Sequence, residues 1–423
     1  MTETPDTKSR TPATRPPLLT RPLLLRFVSI LGTSTSFFLL LSVVPRYATT
    51  GGGGGGTAGG AAGLATGALM LTTVVGELAT PALVGRYGYR AVLAVGLVLL
   101  GAPALALTAS RDLWWIVGVC LVRGLGFAFT VVAGGALTAS LIPAERRGEG
   151  LALVGLVGGL PSLVALPLGV WLASHAGYGV VFTAGAVAAL GAILAVPGLP
   201  DRIKASGRPV GMAEGLRTRE LRCPAVLFAV TAVAAGIVVT FLPLAVPGSA
   251  TNTVAVALLV QPAATTLARW VAGRHGDRHG PGGLVLPGLL LSAVGTLLMA
   301  FTGSAVAVIV AVGVFGVGFG VVQNATLTLM YERVHAAGYG TVSALWNFAY
   351  DAGMGIGAVA FGWLAAGTGY PWAFALTGAA MLTSVVPAWR GPGPKAVPGG
   401  PPPGDRAAAS GAEPADADSK IGH

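Results

Sequence analysis

The chain has 423 residues, of which 53% are hydrophobic and only 10% are charged, and its mean hydropathy is +0.75. Soluble globular proteins carry about 25% charged residues, so this composition excludes a soluble protein and predicts an all-α polytopic membrane protein. The net charge of +10 comes mostly from Lys and Arg in short connections between apolar segments. It therefore indicates membrane topology and predicts no nucleic-acid partner.

The apolar segments predict twelve membrane spans, because about 20 apolar residues are needed to cross the hydrocarbon core. They lie near residues 23–45, 61–84, 91–109, 113–141, 150–173, 180–199, 223–246, 250–272, 283–302, 305–330, 338–366 and 371–389. The predicted domains are a disordered tail (1–20), a six-helix bundle (21–199), a basic linker (200–222), a second six-helix bundle (223–390) and a second disordered tail (391–423).

Basic residues alternate between the two sides of these spans. The odd-numbered connections contain only Arg46 and Arg111. The even-numbered connections contain Arg86, Arg90, Arg146, Arg147, Arg202, Lys204, Arg208, Arg217, Arg219, Arg222, Arg274, Arg278 and Arg333. Positive charge is retained in the cytoplasm, so the pattern predicts a plasma-membrane protein with both termini cytoplasmic.

Four landmarks recur at one offset of 192 positions, which predicts an internal repeat. The matched pairs are Arg86 and Gly88 with Arg278 and Gly280, Gly124 and Gly126 with Gly316 and Gly318, Trp171 with Trp363, and Gly177 and Phe182 with Gly369 and Phe374. Six spans per copy give both copies the same orientation. We therefore expect two pseudo-symmetric bundles related by an axis along the membrane normal.

Four ionisable residues in the spans are candidate coupling residues: Arg123, Glu77, Arg269 and Asp351. A cation at bilayer depth costs between about 2.5 and 17 kcal/mol, so Arg123 is expected to face protein or water. Glu77 and Arg269 occupy equivalent repeat positions, and we predict that they take part with Asp351 in gating or proton exchange. The alternatives are a static interhelical ion pair and, for Arg123, a structural bond to helix-end carbonyl groups.

Polar side chains in the tenth and eleventh spans are candidate substrate contacts: Gln323, Asn324, Trp346 and Asn347. Adjacent helical residues point about 100° apart, so at most one of Gln323 and Asn324 is expected to face a central cavity fully. The alternative is hydrogen bonding between helices. Histidines in loops lack metal-ligand spacing, and the two cysteines are far apart, so we predict no metal site and no disulfide framework.

The connections after the second and eighth spans carry a family resemblance. The stretch from Gly273 to Gly280 resembles the signature loop Gly-x-x-x-Asp-Arg-x-Gly-x-[Arg/Lys] of the major facilitator superfamily, and in the first copy Pro81 and Gly85 replace the glycine and the aspartate. In that family the loop clamps the cytoplasmic side between the halves. The residues that the resemblance assigns to it are Arg86, Gly88, Arg90, Gly273, Asp277, Arg278 and Gly280.

Two further stretches add to the resemblance, which covers about residues 22–390. Arg123, followed by Gly124 and Gly126, is similar to the helix-four motif in which an arginine serves proton coupling. The eleventh span from Trp346 onward is similar to a pattern of small-solute exporters, whereas the fifth span departs from the Gly-Pro-x-x-Gly-Gly of drug exporters around Pro167. The resemblance implies that spans one, four, seven and ten line the cavity.

These observations predict a monomeric secondary transporter and no enzyme activity. We expect it to export a small organic solute, a drug or a metabolite, by proton-coupled alternating access. No Walker-type loop is present, so no ATP hydrolysis and no cofactor are expected. The alternatives are proton-coupled uptake of a small anionic or zwitterionic solute and, less favoured, a membrane receptor that does not transport.

Overall fold

The computed structural model describes residues 19–51, 56–143, 147–201, 217–247, 251–334 and 339–383. The helices of these ranges are α1 (Arg21–Leu41, continued by Val43–Ala48), α2 (Gly56–Tyr87), α3 (Tyr89–Ala106), α4 (Leu113–Leu141), α5 (Arg147–His175), α6 (Tyr178–Gly191, continued by a 3-10 turn Ala192–Gly198), α7 (Arg219–Ala245), α8 (Thr251–His279), α9 (Gly282–Leu298), α10 (Ala305–Glu332), α11 (Tyr339–Thr368) and α12 (Tyr370–Thr383).

Each of the twelve predicted spans is matched by one of these helices. Ten of the helical segments are long and apolar enough to cross a membrane, and α9 is a shorter apolar helix. The described part of α12 stops at Thr383, before the end of the predicted span. The predicted tails lie outside the described residues except for Leu19 and Thr20.

Two boundaries differ from the sequence-based expectation. Helix α8 continues through Gly273 to His279, where a loop was predicted. Basic side chains in the last turn interact favourably with the helix dipole, and the helix ends before Gly280, whose φ is +82°. Helix α7 begins at Arg219, inside the predicted linker; residues 202–216 of that linker lie outside the described residues, and the domain division stays a prediction.

The backbone confirms the internal repeat. The glycines with positive φ in the described ranges form two pairs separated by 192 positions, Gly88 with Gly280 and Gly177 with Gly369. Each lies between two consecutive helices, where an L side chain would strain the backbone. The same tight turns therefore occur at the same places in both copies.

Close helix contacts repeat in the same way. Thr73 of α2 donates from Oγ1 to the carbonyl of Gly124 at 3.2 Å, and its counterpart Thr265 of α8 donates to the carbonyl of Gly316 at 3.1 Å. A Cβ atom at either glycine would meet a backbone carbonyl of the neighbouring helix. These glycines thus allow α4 and α10 to pack closely against α2 and α8.

The two bundles join along two seams, α2 against α11 and α5 against α8. We call the end that contains Arg86, Arg90 and Arg278 the basic end. Toward the opposite end, Thr66 of α2 hydrogen-bonds to Thr240 of α7 at 3.0 Å, and Gly59 approaches the backbone of Gly362. The halves are therefore packed together at the end opposite the basic end.

Tryptophans mark that opposite end on the outer surface. The exposed ones at this end are Trp114, Trp115, Trp171, Trp363 and Trp372, each near an end of its helix, whereas the exposed Trp270 lies closer to the basic end of α8. Tryptophan is enriched where membrane meets water, because its ring is apolar and its N–H is polar. Their positions agree with helices that cross a bilayer.

Candidate functional site

The α2–α11 seam contains a pair of acidic side chains. Glu77 is half-buried and Asp351 is only 5% exposed, and their carboxyl groups lie within hydrogen-bonding reach of each other. Glu77 lies nine residues before Arg86, which places it roughly 13 Å along the helix from the loop. The structure thus brings two predicted coupling residues together across the boundary between the halves.

Arg269, the third predicted member of this group, lies on α8 and is not recorded in contact with Glu77 or Asp351. It is exposed, and its recorded electrostatic neighbour is Tyr350 of α11, the residue before Asp351. The repeat explains why its surroundings differ from those of Glu77. The counterpart of Asp351 on α5 is Gly159, so the α5–α8 seam has no carboxyl group at that position.

Arg123 is buried, as predicted, and binds backbone carbonyls. Its Nε donates to the carbonyl of Leu100 in α3 at 3.0 Å, and its Nη2 donates to the carbonyl of Ser36 in α1 at 3.2 Å. The guanidinium therefore links α4 to two neighbouring helices of its own bundle. This geometry resembles the structural alternative, although the carbonyls lie within helices and not at their ends.

An aromatic stack occupies the interior of the second bundle. The ring of Phe228 in α7 stacks on that of Trp346 in α11 with centroids 4.5 Å apart, and Tyr350 and Phe319 extend the stack. Nε1 of Trp346 and Oε1 of Gln323 are buried, and neither has a hydrogen-bond partner among the described residues. A donor without a recorded partner thus belongs to the stack itself, and an acceptor without one lies one helical turn after Phe319 on α10.

The remaining predicted contacts, Asn324 and Asn347, are only partly buried. A Cβ at Gly273 would lie 3.6 Å from the side-chain nitrogen of Asn324, so this amide lies against α8. Gln323 and Asn324 therefore occupy different surroundings, as their adjacent positions on a helix require.

The first predicted gating loop is held by an aspartate that the sequence pattern did not reveal. Asp201, which follows α6, accepts a hydrogen bond from the backbone N–H of Arg90 through Oδ1 at 3.2 Å, and its carbonyl accepts from Tyr89 N–H at 3.0 Å. Nε of Arg90 also donates to the carbonyl of Leu199. A carboxylate is favourable at a helix N-terminus, because it interacts with the helix dipole. The one sequence feature that marks this aspartate is its position two residues after a predicted apolar span.

The other loop residues are placed as follows. The guanidinium of Arg86 lies 5.3 Å from the ring centroid of Tyr87. Gly88 has a φ of +85°, and its missing side chain leaves room for the carboxylate of Asp201. In the second copy, Gly273 lies inside α8, Arg278 is exposed in its last turn, and Gly280 follows it. The side chain of Asp277 lies outside the described residues.

A second buried arginine, Arg26 of α1, was also missed. Its exposed fraction is 4%, and it hydrogen-bonds to α4 through the carbonyl of Gly134 and the hydroxyl of Thr138, both at 3.1 Å. The signal was present in the sequence, because Arg26 is the single charge inside the first predicted span. It lies three residues after the start of that span, where basic residues that flank a membrane segment are common.

Comparisons with known proteins agree with this architecture. A model of the Major Facilitator Superfamily matches residues 23–358. The chain is 29% identical over 382 residues to a Streptomyces lividans protein named chloramphenicol resistance protein, with 86% of this chain and 95% of the relative covered.

Solved structures of similar fold are transporters. The xylose transporter XylE from E. coli matches with a TM-score of 0.71 at 13% identity over 89% of this chain and 99% of its own. The nucleoside transporter NupG matches with a TM-score of 0.68 at 12% identity over 88% and 99%. The chain therefore belongs to the Major Facilitator Superfamily and is a multi-pass membrane transporter of small solutes, not an enzyme.

Proposed function

We propose that the protein exports a small organic solute in exchange for protons by alternating access. The observation that carries this proposal is the close approach of the Glu77 and Asp351 carboxyl groups, because they lie on the helices that hold the two halves together. An ionised carboxylate has no donor, so two carboxyl groups hydrogen-bond only when one of them carries a proton. Protonation therefore favours the packed arrangement of α2 and α11 at this level.

Loss of that proton has the opposite effect. Two carboxylates at this distance repel each other across the seam, which weakens the contact between the halves. Tyr350 is recorded beside Asp351, and Arg269 is recorded beside Tyr350; both belong to the second half. The proton thus biases one arrangement of the two bundles against another, which is what coupling requires.

The second bundle supports an organic solute with a planar group. The stack of Phe228 and Trp346 offers a ring surface, and the free Nε1 of Trp346 and Oε1 of Gln323 offer one donor and one acceptor. A few polar groups on an otherwise apolar wall are typical of small-molecule sites. We therefore place the solute between these residues and the first bundle.

Outward transport is supported by the relative named for chloramphenicol resistance, since a membrane transporter confers resistance by removing the drug from the cell. Cytoplasmic termini and a plasma-membrane location follow from the alternation of basic residues and belong to the same proposal.

The test uses everted membrane vesicles with an imposed proton gradient and chloramphenicol as the first solute. An exporter coupled to protons dissipates the gradient when the solute is added. We expect Asp351→Asn and Glu77→Gln each to abolish this response, because the pair can no longer exchange a shared proton. Glu332→Gln is the matched control, since Glu332 is exposed at the end of α10, outside the seam.

Full solute-driven proton movement in both seam variants contradicts the proposal. An uptake symporter gives a different result: it alkalinises the medium of right-side-out vesicles when solute is added. A receptor changes neither gradient.

A further inference from the structure

The cavity beside Arg26 has no role in the coupling mechanism described above. It has a volume of about 190 Å³ and is lined by α1, α4 and α5 through residues that include Arg26, Thr33, Ser34, Thr130, Thr138 and Gly158. Drug-sized ligands occupy pockets of roughly 300–1,000 Å³. This cavity therefore suits one chemical group of a ligand and not a whole large molecule.

The guanidinium of Arg26 is a buried cation whose recorded partners are all neutral. Besides Gly134 and Thr138, it donates from Nη1 to the hydroxyl of Ser29 at 3.0 Å and from Nη2 to the carbonyl of Thr130 at 3.4 Å. In the described ranges no carboxylate is recorded beside it. A guanidinium has five N–H groups, so one hydrogen on each Nη atom has no recorded acceptor.

A second polar group in the same cavity is free. Thr33 is 4% exposed, lines the cavity, and its Oγ1 has no hydrogen-bond partner among the described residues. Buried hydroxyl groups are nearly always hydrogen-bonded, because an unpaired one has lost its bonds to water. Together the hydroxyl and the guanidinium offer donors to one acceptor group in the cavity.

The second bundle shows that the fold does not require this polarity. The counterparts of Thr33, Ser34, Thr130 and Thr138 are Ala225, Val226, Val322 and Met330. Gly134, whose missing side chain makes room for the Arg26 guanidinium, corresponds to Thr326. These polar cavity side chains are thus not required by the repeated fold.

We propose that this cavity binds an anionic oxygen group, a carboxylate or a phosphate. An anion supplies the counter-charge that is not recorded beside Arg26 in the described ranges, and it accepts from the Nη hydrogens without a recorded acceptor and from Thr33; charge-assisted hydrogen bonds of this kind are strong. The source of the group is either the transported solute or the headgroup of an anionic lipid. If the group belongs to the solute, the inference rests on the transport function proposed above. The existence of an anion-binding site does not depend on that function.

The test measures binding, not transport, with the full protein in nanodiscs of zwitterionic lipid. Benzoate and benzamide are the probes, because they share one ring and differ in charge. Calorimetry should detect benzoate binding to the wild type and no benzamide binding. Thr33→Val should weaken benzoate binding about five- to tenfold, which corresponds to one lost hydrogen bond, and Arg26→Gln should abolish it.

Thr33→Val keeps the test decisive if Arg26→Gln fails to fold, because Thr33 makes no recorded side-chain bond within the described ranges. Thr231→Val is the matched control: its hydroxyl bonds only within α7, to the carbonyl of Phe228, and benzoate affinity should not change. Equal binding of benzoate and benzamide, or unchanged benzoate binding by Thr33→Val, overturns a soluble-anion site.

A second arm adds phosphatidylglycerol to the nanodiscs. Arg26-dependent and Thr33-dependent stabilisation by this lipid, with no benzoate binding, assigns the site to a lipid headgroup. Absence of both benzoate and lipid effects overturns the proposal. Benzoate binding without solute-driven proton movement keeps the anion site and removes the transport proposal, so the two failures are distinguishable.

Discussion

The two bundles share one backbone design but differ in what fills their interiors. Arg123 hydrogen-bonds to the carbonyl of Ser36 in the first bundle; the counterparts of these two residues in the second are Phe315 and Phe228, both fully buried. The close backbone contacts of Gly124 and Gly126 recur at Gly316 and Gly318, and the positive-φ glycine turns recur as well. The repeat thus preserves the positions where backbones meet and leaves the interior side chains free to differ, and we place polar chemistry in the first bundle and ring contacts in the second.

The largest effect is expected from placing the polar residue of one bundle in the other. Phe315→Arg puts a cation in an apolar core beside Phe319, and an uncompensated buried charge should cost at least about 3 kcal/mol of unfolding free energy. Phe315→Leu is the control and should cost under about 2 kcal/mol, because it stays apolar. Thermal unfolding in detergent measures both variants. Equal melting temperatures for Phe315→Arg and the wild type would show that water reaches this part of the second bundle and solvates the charge.

A smaller and equal effect is expected where the bundles agree. Gly124→Ala and Gly316→Ala each place a methyl group against a carbonyl of the neighbouring helix, at Leu69 and Gln261 respectively. Overpacking of this kind costs about 1–3 kcal/mol.

The control for these two variants is Gly118→Ala in α4, where an added Cβ meets no atom within 4 Å. It should leave stability unchanged or raise it by up to about 1 kcal/mol, since alanine favours the helix. Thermal melting compares the three, and a loss confined to one bundle would show that the two scaffolds are not equivalent.

The loop ends of the bundles differ, and Asp201→Ala tests the difference. Asp201 caps α3 in the first copy by accepting from Arg90 N–H, and its removal should cost about 0.5–2 kcal/mol. Asp201→Asn should cost less, because an amide oxygen still accepts the bond. Chemical denaturation measures both variants, and an unchanged free energy for Asp201→Ala would mean that water replaces the cap.

The fold was predictable from the sequence because its determinants are local or periodic. Span length, alternation of basic residues and one repeat offset require no knowledge of side-chain contacts, and all twelve spans have a matching helix. The extension of α8 past Gly273 was not predictable from hydropathy, since a helix that leaves the apolar layer continues while polar residues support it. Helix ends depend on caps, and hydropathy does not report caps.

The candidate site was predictable in its residues and not in its pairings. Asp351 and Glu77 stand out as charges in apolar spans, but their contact depends on which faces of α2 and α11 meet. The repeat suggested Arg269 as the partner of Glu77, because the two residues occupy equivalent positions. It did not show that α11 offers Asp351 to Glu77, whereas the equivalent position of α5 is Gly159. The cap by Asp201 could not be predicted either, since the residue that it binds, Arg90, lies 111 positions away in the sequence.

The smallest effect on stability is expected from Trp346→Phe, which separates the two roles of the aromatic stack. Phenylalanine keeps a ring on Phe228, but it removes the Nε1–H that has no partner in the described part of the chain. An unpaired buried donor costs roughly 1–3 kcal/mol, so the variant should melt at or slightly above the wild-type temperature. If Nε1 donates to the solute, affinity should fall about five- to tenfold in the same variant, since one hydrogen bond contributes about 1 kcal/mol.

Trp270→Phe is the control, because Trp270 is exposed beneath Arg274 and away from the stack. Lower stability together with unchanged solute affinity would show that Trp346 is a packing residue of the second bundle, and the ring contacts proposed for the solute would then have to lie elsewhere.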